Sequence, residues 1–189
     1  MKTTINMDQK GIASLLQKMP PEEKKQALED SGQFIIESTH AGYLSETGPD
    51  GKKWDENVQW YKQAKGEAAI LTGPTSKKIH DGPFKDKYEF AKVNKKRMRN
   101  ALMVRVEGTT KAYVEYEADV KERASLTQYG GESKLILKST SGGNNLEIDL
   151  EVIPRPHLGV ADSHARIGGK TDPAHIEDIF SQMVDKHIG

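Results

Sequence analysis

Leu102-Met103-Val104-Arg105-Val106-Glu107-Gly108-Thr109-Thr110-Lys111-Ala112-Tyr113-Val114-Glu115-Tyr116 is the stretch that decides the fold class. Apolar residues recur at every second position on both sides of Glu107-Gly108-Thr109-Thr110, the spacing of two antiparallel strands joined by a tight turn. On the C-terminal side, Asp119 to Tyr129 reads as a helix with Val120, Ala124 and Leu126 as burial candidates. Residues 133–139 and 145–153 read as two more strands around the turn Ser141-Gly142-Gly143-Asn144-Asn145. The second hairpin ends at Ile153-Pro154-Arg155-Pro156-His157-Leu158-Gly159. Two prolines there remove backbone donors and fix φ, so the chain leaves the sheet through a stiff bracket that carries one guanidinium. A polar, glycine-rich stretch follows, and Asp172-Pro173 opens a last helix with Ile176, Ile179, Phe180, Met183 and Val184 on its apolar side.

On the N-terminal side the signal is helical. Residues 8–18 carry Ile12, Leu15 and Leu16 at helical spacing, with Met19 following, and Pro20-Pro21 separates them from a longer helix. That helix has an acidic first turn at Glu22-Glu23 and an apolar stripe through Ala27, Leu28, Phe34 and Ile35 to about residue 46, with Ser31-Gly32 expected to bend it. Pro49-Asp50-Gly51 is a turn signal, and Trp54 directly after it predicts a packed loop. Residues 56–65 read as a short helix with Trp60 and Tyr61, and 86–101 as a basic helix. The expected architecture is α+β, one domain over residues 1–189. An antiparallel sheet of about four strands packs with helices, between an N-terminal helical segment and a C-terminal helix, with residues 1–20 as a candidate mobile arm.

Composition narrows the functional classes. The chain has 189 residues, with 28 basic and 28 acidic side chains, 35% hydrophobic content and no cysteine. Balanced charge argues against general polyanion binding driven by counterion release. The lack of cysteine removes disulfides and thiol chemistry. The N-terminus shows no apolar signal-peptide core and no run is long enough to span a membrane, so a cytosolic site of synthesis is expected. None of the six histidines has the i, i+4 spacing of a helical zinc site. Gly168-Gly169-Lys170-Thr171 resembles the end of a phosphate loop, but the glycine required at position 164 is a histidine. No Gly-x-Ser-x-Gly elbow occurs. The expectation is a non-enzymatic protein with no catalytic, cofactor-binding or metal-binding residues. Lys92, Lys95, Lys96, Arg97 and Arg99 lie three and four apart, a spacing that gathers them on one helix face. They read as a solvated face or, in a hollow assembly, as residues facing a lumen or DNA.

Three separated segments, taken in order, resemble the phage virion morphogenesis family, which includes tail completion proteins of contractile-tailed phages and the morphogenesis protein of Mu-like phages. The first is the helix leading into Pro49-Asp50-Gly51-Lys52-Lys53-Trp54, similar to the family's Pro-x-Gly-x-x-Trp element. The second comprises Ile70-Leu71-Thr72-Gly73 and the strand and helix from Val114-Glu115-Tyr116 to the turn Gln128-Tyr129-Gly130. The third is Ile153 to Gly159, similar to an Ile-Pro-x-Arg-Pro-x-Leu-Gly signature that here lacks its middle residue. The resemblance implies a virion protein of the head–tail junction, made in the host cytoplasm, acting as a homo-oligomeric ring of six subunits. Such a ring would cap the tail and meet neck, connector, tail tube or sheath proteins, with genomic DNA passing through its lumen. It also implies Pro49, Trp54, Arg155 and Pro156 at subunit or partner contacts. The competing expectations are an assembly helper that leaves the particle and a DNA-binding domain.

Overall fold

In the computed structural model, which describes residues 2–6, 17, 19–66, 73–93 and 97–188, the strands divide between two three-stranded antiparallel sheets. The elements are β1 (Lys2–Asn6), α1 (Pro21–Ser45), α2 (Gln59–Ala64), β2 (Tyr88–Phe90), β3 (Leu102–Glu107), β4 (Lys111–Tyr116), α3 (Ala118–Tyr129), β5 (Gly131–Ser139), β6 (Leu146–Val152) and α4 (Asp172–Ile188), with a 3-10 turn at Met98–Ala101. The order in one sheet is β1-β4-β3 and in the other β2-β5-β6. The class is α+β, with both expected hairpins present. Each hairpin gains a third strand that the sequence pattern did not show. In the segment read as a mobile arm, Lys2–Asn6 pair along β4 from Lys2 opposite Glu115 to Asn6 opposite Lys111, and Met19 is buried. Most of the expected helix over 8–18 lies outside the described residues, as do Ile70, Leu71 and Thr72.

Residues 86–101 correct the reading of a basic helix. Tyr88–Phe90 pair with β5, which places Phe90 opposite Leu137, and both side chains are fully buried. Burial of an aromatic ring in a sheet outweighs the helical spacing of charges on a solvated loop. Met98–Ala101 then form only one tight turn, with Met98 and Ala101 inside. Lys95 and Lys96 lie outside the described residues.

The main core forms where α1 crosses the inner row of β3 and β4 and α4 packs beside it. Leu28 and Ile35 of α1 meet Val114 and Tyr116 of β4, Val120 and Ala124 of α3, and Ile176, Phe180 and Val184 of α4. A smaller cluster of Ala64, Ile79, Phe90 and Leu137 sits on the second sheet. Trp60 and Phe84 roof it edge to face, with ring centroids 5.6 Å apart. Asp172, fully buried, ties α4 to α1: its carboxylate accepts from Ser38 Oγ at 2.8 Å and from the Ala161 amide at 2.8 Å.

Gly32 is a point of close approach between α1 and the sheet. A β-carbon there would lie 2.5 Å from Val104 Cγ1, and a β-branched valine has little rotamer freedom to move aside. Gly32→Ala is therefore expected to destabilise by about 1–3 kcal/mol, despite the better helix propensity of alanine. Urea denaturation should show Gly32→Ala/Val104→Ala recovering most of the loss, and a Gly32→Ala protein as stable as the parent would rule out the contact.

Candidate functional site: a junction of three loops

Helix α1 ends at Glu46, whose left-handed φ of 55° turns the chain out of the helix. The Thr47 amide donates to the Gly42 carbonyl at 3.0 Å, closing the last turn. Gly48-Pro49-Asp50-Gly51 then folds back, with the Gly51 amide donating to the Gly48 carbonyl at 3.1 Å and the Lys52 amide donating to Asp50 Oδ1 at 3.1 Å. The Trp54 amide donates to the Glu46 carbonyl at 2.8 Å, so the loop returns the indole to the end of the helix that launched it.

The indole meets the proline bracket. Trp54 is 8% exposed, and its Nε1 donates to the Pro156 carbonyl at 2.8 Å across 102 residues of sequence. Its ring lies edge-on to Tyr43, centroids 5.9 Å apart. The bracket returns the contact at Gly159, where a β-carbon would lie 2.8 Å from Pro49 Cγ, so only glycine lets the two loops interlock this closely.

Arg155 is 6% exposed and points inward. Its Nε donates to the Asp55 carbonyl at 2.8 Å and its Nη2 to the Glu56 carbonyl at 3.3 Å. Burial lowers the guanidinium pKa from its usual value, and the Asp55 carboxylate partly offsets this. The guanidinium also lines a cavity of about 290 Å³ together with Val58, Tyr61, Arg123, Leu150 and Ile153.

The third loop is the end of α3. Gln128 grips the bracket with both ends of its amide: Oε1 accepts from the His157 amide at 2.9 Å and the Leu158 amide at 3.1 Å, and Nε2 donates to the Leu158 carbonyl at 3.2 Å. The Arg155 amide donates to the Thr127 carbonyl at 2.8 Å. With both prolines lacking an N–H, the donors of residues 155, 157 and 158 all find acceptors on α3.

His157 fills the centre. It is 1% exposed, with its ring 5.6 Å from both Tyr43 and Tyr116. Nδ1 donates to the Arg155 carbonyl at 2.9 Å. Burial pulls its pKa down to about 4, against the raising effect of that carbonyl and with a further lowering from the Arg166 charge. The imidazole is neutral at pH 7, and its Nε2 has no hydrogen-bond partner among the described residues. Tyr43 and Tyr116 share a hydroxyl–hydroxyl bond of 2.7 Å, and burial raises both phenols above their ordinary pKa.

The structure thus brings together Pro49, Trp54, Arg155 and Pro156. Trp54 and Arg155, expected at subunit or partner contacts, are buried and make polar contacts within this chain. The reason is local: a backbone carbonyl is in reach of each polar head, and burial covers the rest. Pro49 is half-buried and Pro156 exposed. Of the basic run, Lys92 and Arg97 are exposed. Arg99 is half-buried, and its carbonyl accepts from His40 Nε2 at 2.6 Å. The sequence assigns no site role to Tyr43 or Tyr116; the signal is a tyrosine at the end of an apolar helix stripe and one on the inner row of a strand. Among the described residues, no group of three or more His, Asp or Glu side chains is placed to hold a metal ion, and no helix is long and apolar enough to cross a membrane. No family model, curated protein or solved structure matches the chain.

Proposed function

We propose that this protein is a structural, non-enzymatic subunit of the head–tail junction of a tailed bacteriophage, of the tail completion or terminator type. Identical copies, six in number, would close into a ring that caps the tail and joins it to the head. The observation that carries this reading is the junction. The Pro-Asp-Gly-x-x-Trp loop, the Gln128 turn and the Ile153–Gly159 bracket, which carry the family resemblance, are about 30 to 100 residues apart and meet through side chain to backbone bonds. Each motif residue has a contact that needs its type: an indole N–H for the Pro156 carbonyl, an amide that both donates and accepts, and a guanidinium for two carbonyls. These contacts support the reading by making one unit of the segments that carry the resemblance.

Such a junction holds a surface at a fixed angle without a large core, as a ring subunit requires when neighbours cover part of its apolar surface. Its partners would be further copies of itself and neck, connector, tail tube or sheath proteins, with DNA threading the lumen. Quantitative mass spectrometry of purified particles from a phage encoding this chain is expected to find about six or twelve copies per particle. Presence during assembly but absence from finished particles would favour a departing helper. Steeply salt-dependent DNA binding by the monomer would favour a nucleic-acid module. Absence of the chain from finished particles overturns the virion reading.

A further inference from the structure

We propose that strand β6 of one copy pairs antiparallel with strand β3 of the next, making each subunit contact head to tail. This inference rests on the ring reading and names the contact that builds it. Among the described residues, both strands are the outermost of their sheets. They are of nearly equal length, β6 with 7 residues and β3 with 6. Each has one apolar row and one polar row. The apolar rows, Leu146, Ile148, Leu150 and Val152 on β6 and Leu102, Val104 and Val106 on β3, are all half-buried. That is the state of strands whose sheet continues on one side only.

Charge selects the occupant. The polar row of β6 is Glu147, Asp149 and Glu151, all exposed. On the neighbouring strand, Lys134 lies opposite Asp149 and ion-pairs Glu147 at 3.3 Å, while Glu132 lies opposite Glu151. One lysine thus serves three carboxylates of β6; of the other two cross-strand pairs in the row, Glu132 faces Glu151 and Ile136 faces Glu147. Pairing β6 with its own copy would set two such rows against each other, which like charges across a ladder oppose. A two-fold contact at this edge is disfavoured, and a strand presenting a cation is favoured.

Strand β3 presents one at its centre. Arg105 lies 4.5 Å over the Tyr113 ring, and its Nε donates to Glu115 at 3.0 Å, so the guanidinium is held in place beside the open edge. Met103, beside it in the same row, is 42% exposed. Setting residues 147–152 antiparallel to 107–102 puts Arg105 opposite Asp149, Val104 opposite Leu150 and Val106 opposite Ile148. The like-charge pair this creates, Glu107 with Glu147, is flanked by the cations that already hold those carboxylates, Arg105 at 3.8 Å and Lys134 at 3.3 Å. Because the two edges differ, every copy offers one of each, so the contact propagates and closes into a ring when the rotation between copies permits.

The absence of cysteine makes the test direct. Single variants Arg105→Cys and Asp149→Cys, mixed under mild oxidation, are expected to form a disulfide-linked heterodimer, with either variant alone giving little. Arg105→Glu should weaken association about tenfold, and adding Asp149→Arg should restore it. If native mass spectrometry shows a ring but the mixture cross-links no better than the single variants, the strand contact is wrong and the ring stands. Efficient cross-linking of Asp149→Cys with itself would also overturn the contact, in favour of a two-fold pair. A chain that stays monomeric at high concentration overturns both readings.

Discussion

Truncation of Trp54 to alanine is expected to lower the stability of the isolated subunit by about 4 kcal/mol, the range for removing a large aromatic from a buried site. Two losses combine. The indole leaves a void beside Tyr43, and the Pro156 carbonyl loses its 2.8 Å donor. Trp54→Phe separates them, since it keeps most of the ring and removes only the N–H, and is expected to cost about 1–2 kcal/mol. Arg155 stands on the other side of the same loop, holding the carbonyls of the two residues after Trp54. Its removal is expected to cost about 3 kcal/mol, because two acceptors of a charged donor are left without it. The two sites should not add: once the loop has lifted away in Trp54→Ala, little remains for Arg155 to hold. Chemical denaturation of the two single variants and the double variant measures this. Additive losses, or an Arg155→Ala protein as stable as the parent, would show that the three loops do not act as one unit.

This outcome differs from what the family resemblance implies for the bracket. With Arg155 at a subunit or partner contact, its loss would leave a sound monomer that assembles poorly. The inward contacts place its effect on the subunit's own stability. In the proposed ring, assembly would then suffer indirectly, through a Pro49–Pro156 surface no longer held at one angle.

The sequence showed both hairpins because each has strand-like runs on both sides of a turn signal, Glu107-Gly108-Thr109-Thr110 in the first and Ser141-Gly142-Gly143-Asn144-Asn145 in the second. It missed Tyr88–Phe90, three residues among lysines, because so short a strand has no period to read. It could not divide the strands between two sheets, since whether β5 joins β4 or β2 depends on partners far away in the chain. The same distinction holds at the junction. Pro49-Asp50-Gly51 and Trp54 mark a packed turn through local chemistry. The acceptor of the Trp54 indole is a backbone carbonyl about 100 residues away, and a carbonyl leaves no trace in a sequence. His157 was equally hidden, because its burial comes from Tyr43 and Tyr116, residues of a helix and a strand that meet only in the folded chain.

Acid should act on this protein through His157. In the unfolded chain a histidine titrates near its ordinary value of 6.5, whereas the buried imidazole does not accept a proton until about pH 4. Between those values the unfolded state binds the proton and the native state does not, so stability falls as pH drops from about 6.5 towards 4 and is fully present above that window. The total is about 3 kcal/mol for a group this buried. The described residues of the junction offer the charge little. Nδ1 already donates to the Arg155 carbonyl, Nε2 has no acceptor among the described residues, and Arg166 adds a like charge nearby. Tyr43 and Tyr116 present rings to it, with their hydroxyls bonded to each other. Urea denaturation at several pH values between 4 and 7 should therefore show a fall in stability that His157→Asn lacks. That variant is expected to be less stable at pH 7, because the smaller side chain leaves space between the tyrosines, yet to lose less on acidification. Parallel pH profiles for the two proteins would mean that the acid response arises elsewhere and that the centre of the junction tolerates a charge.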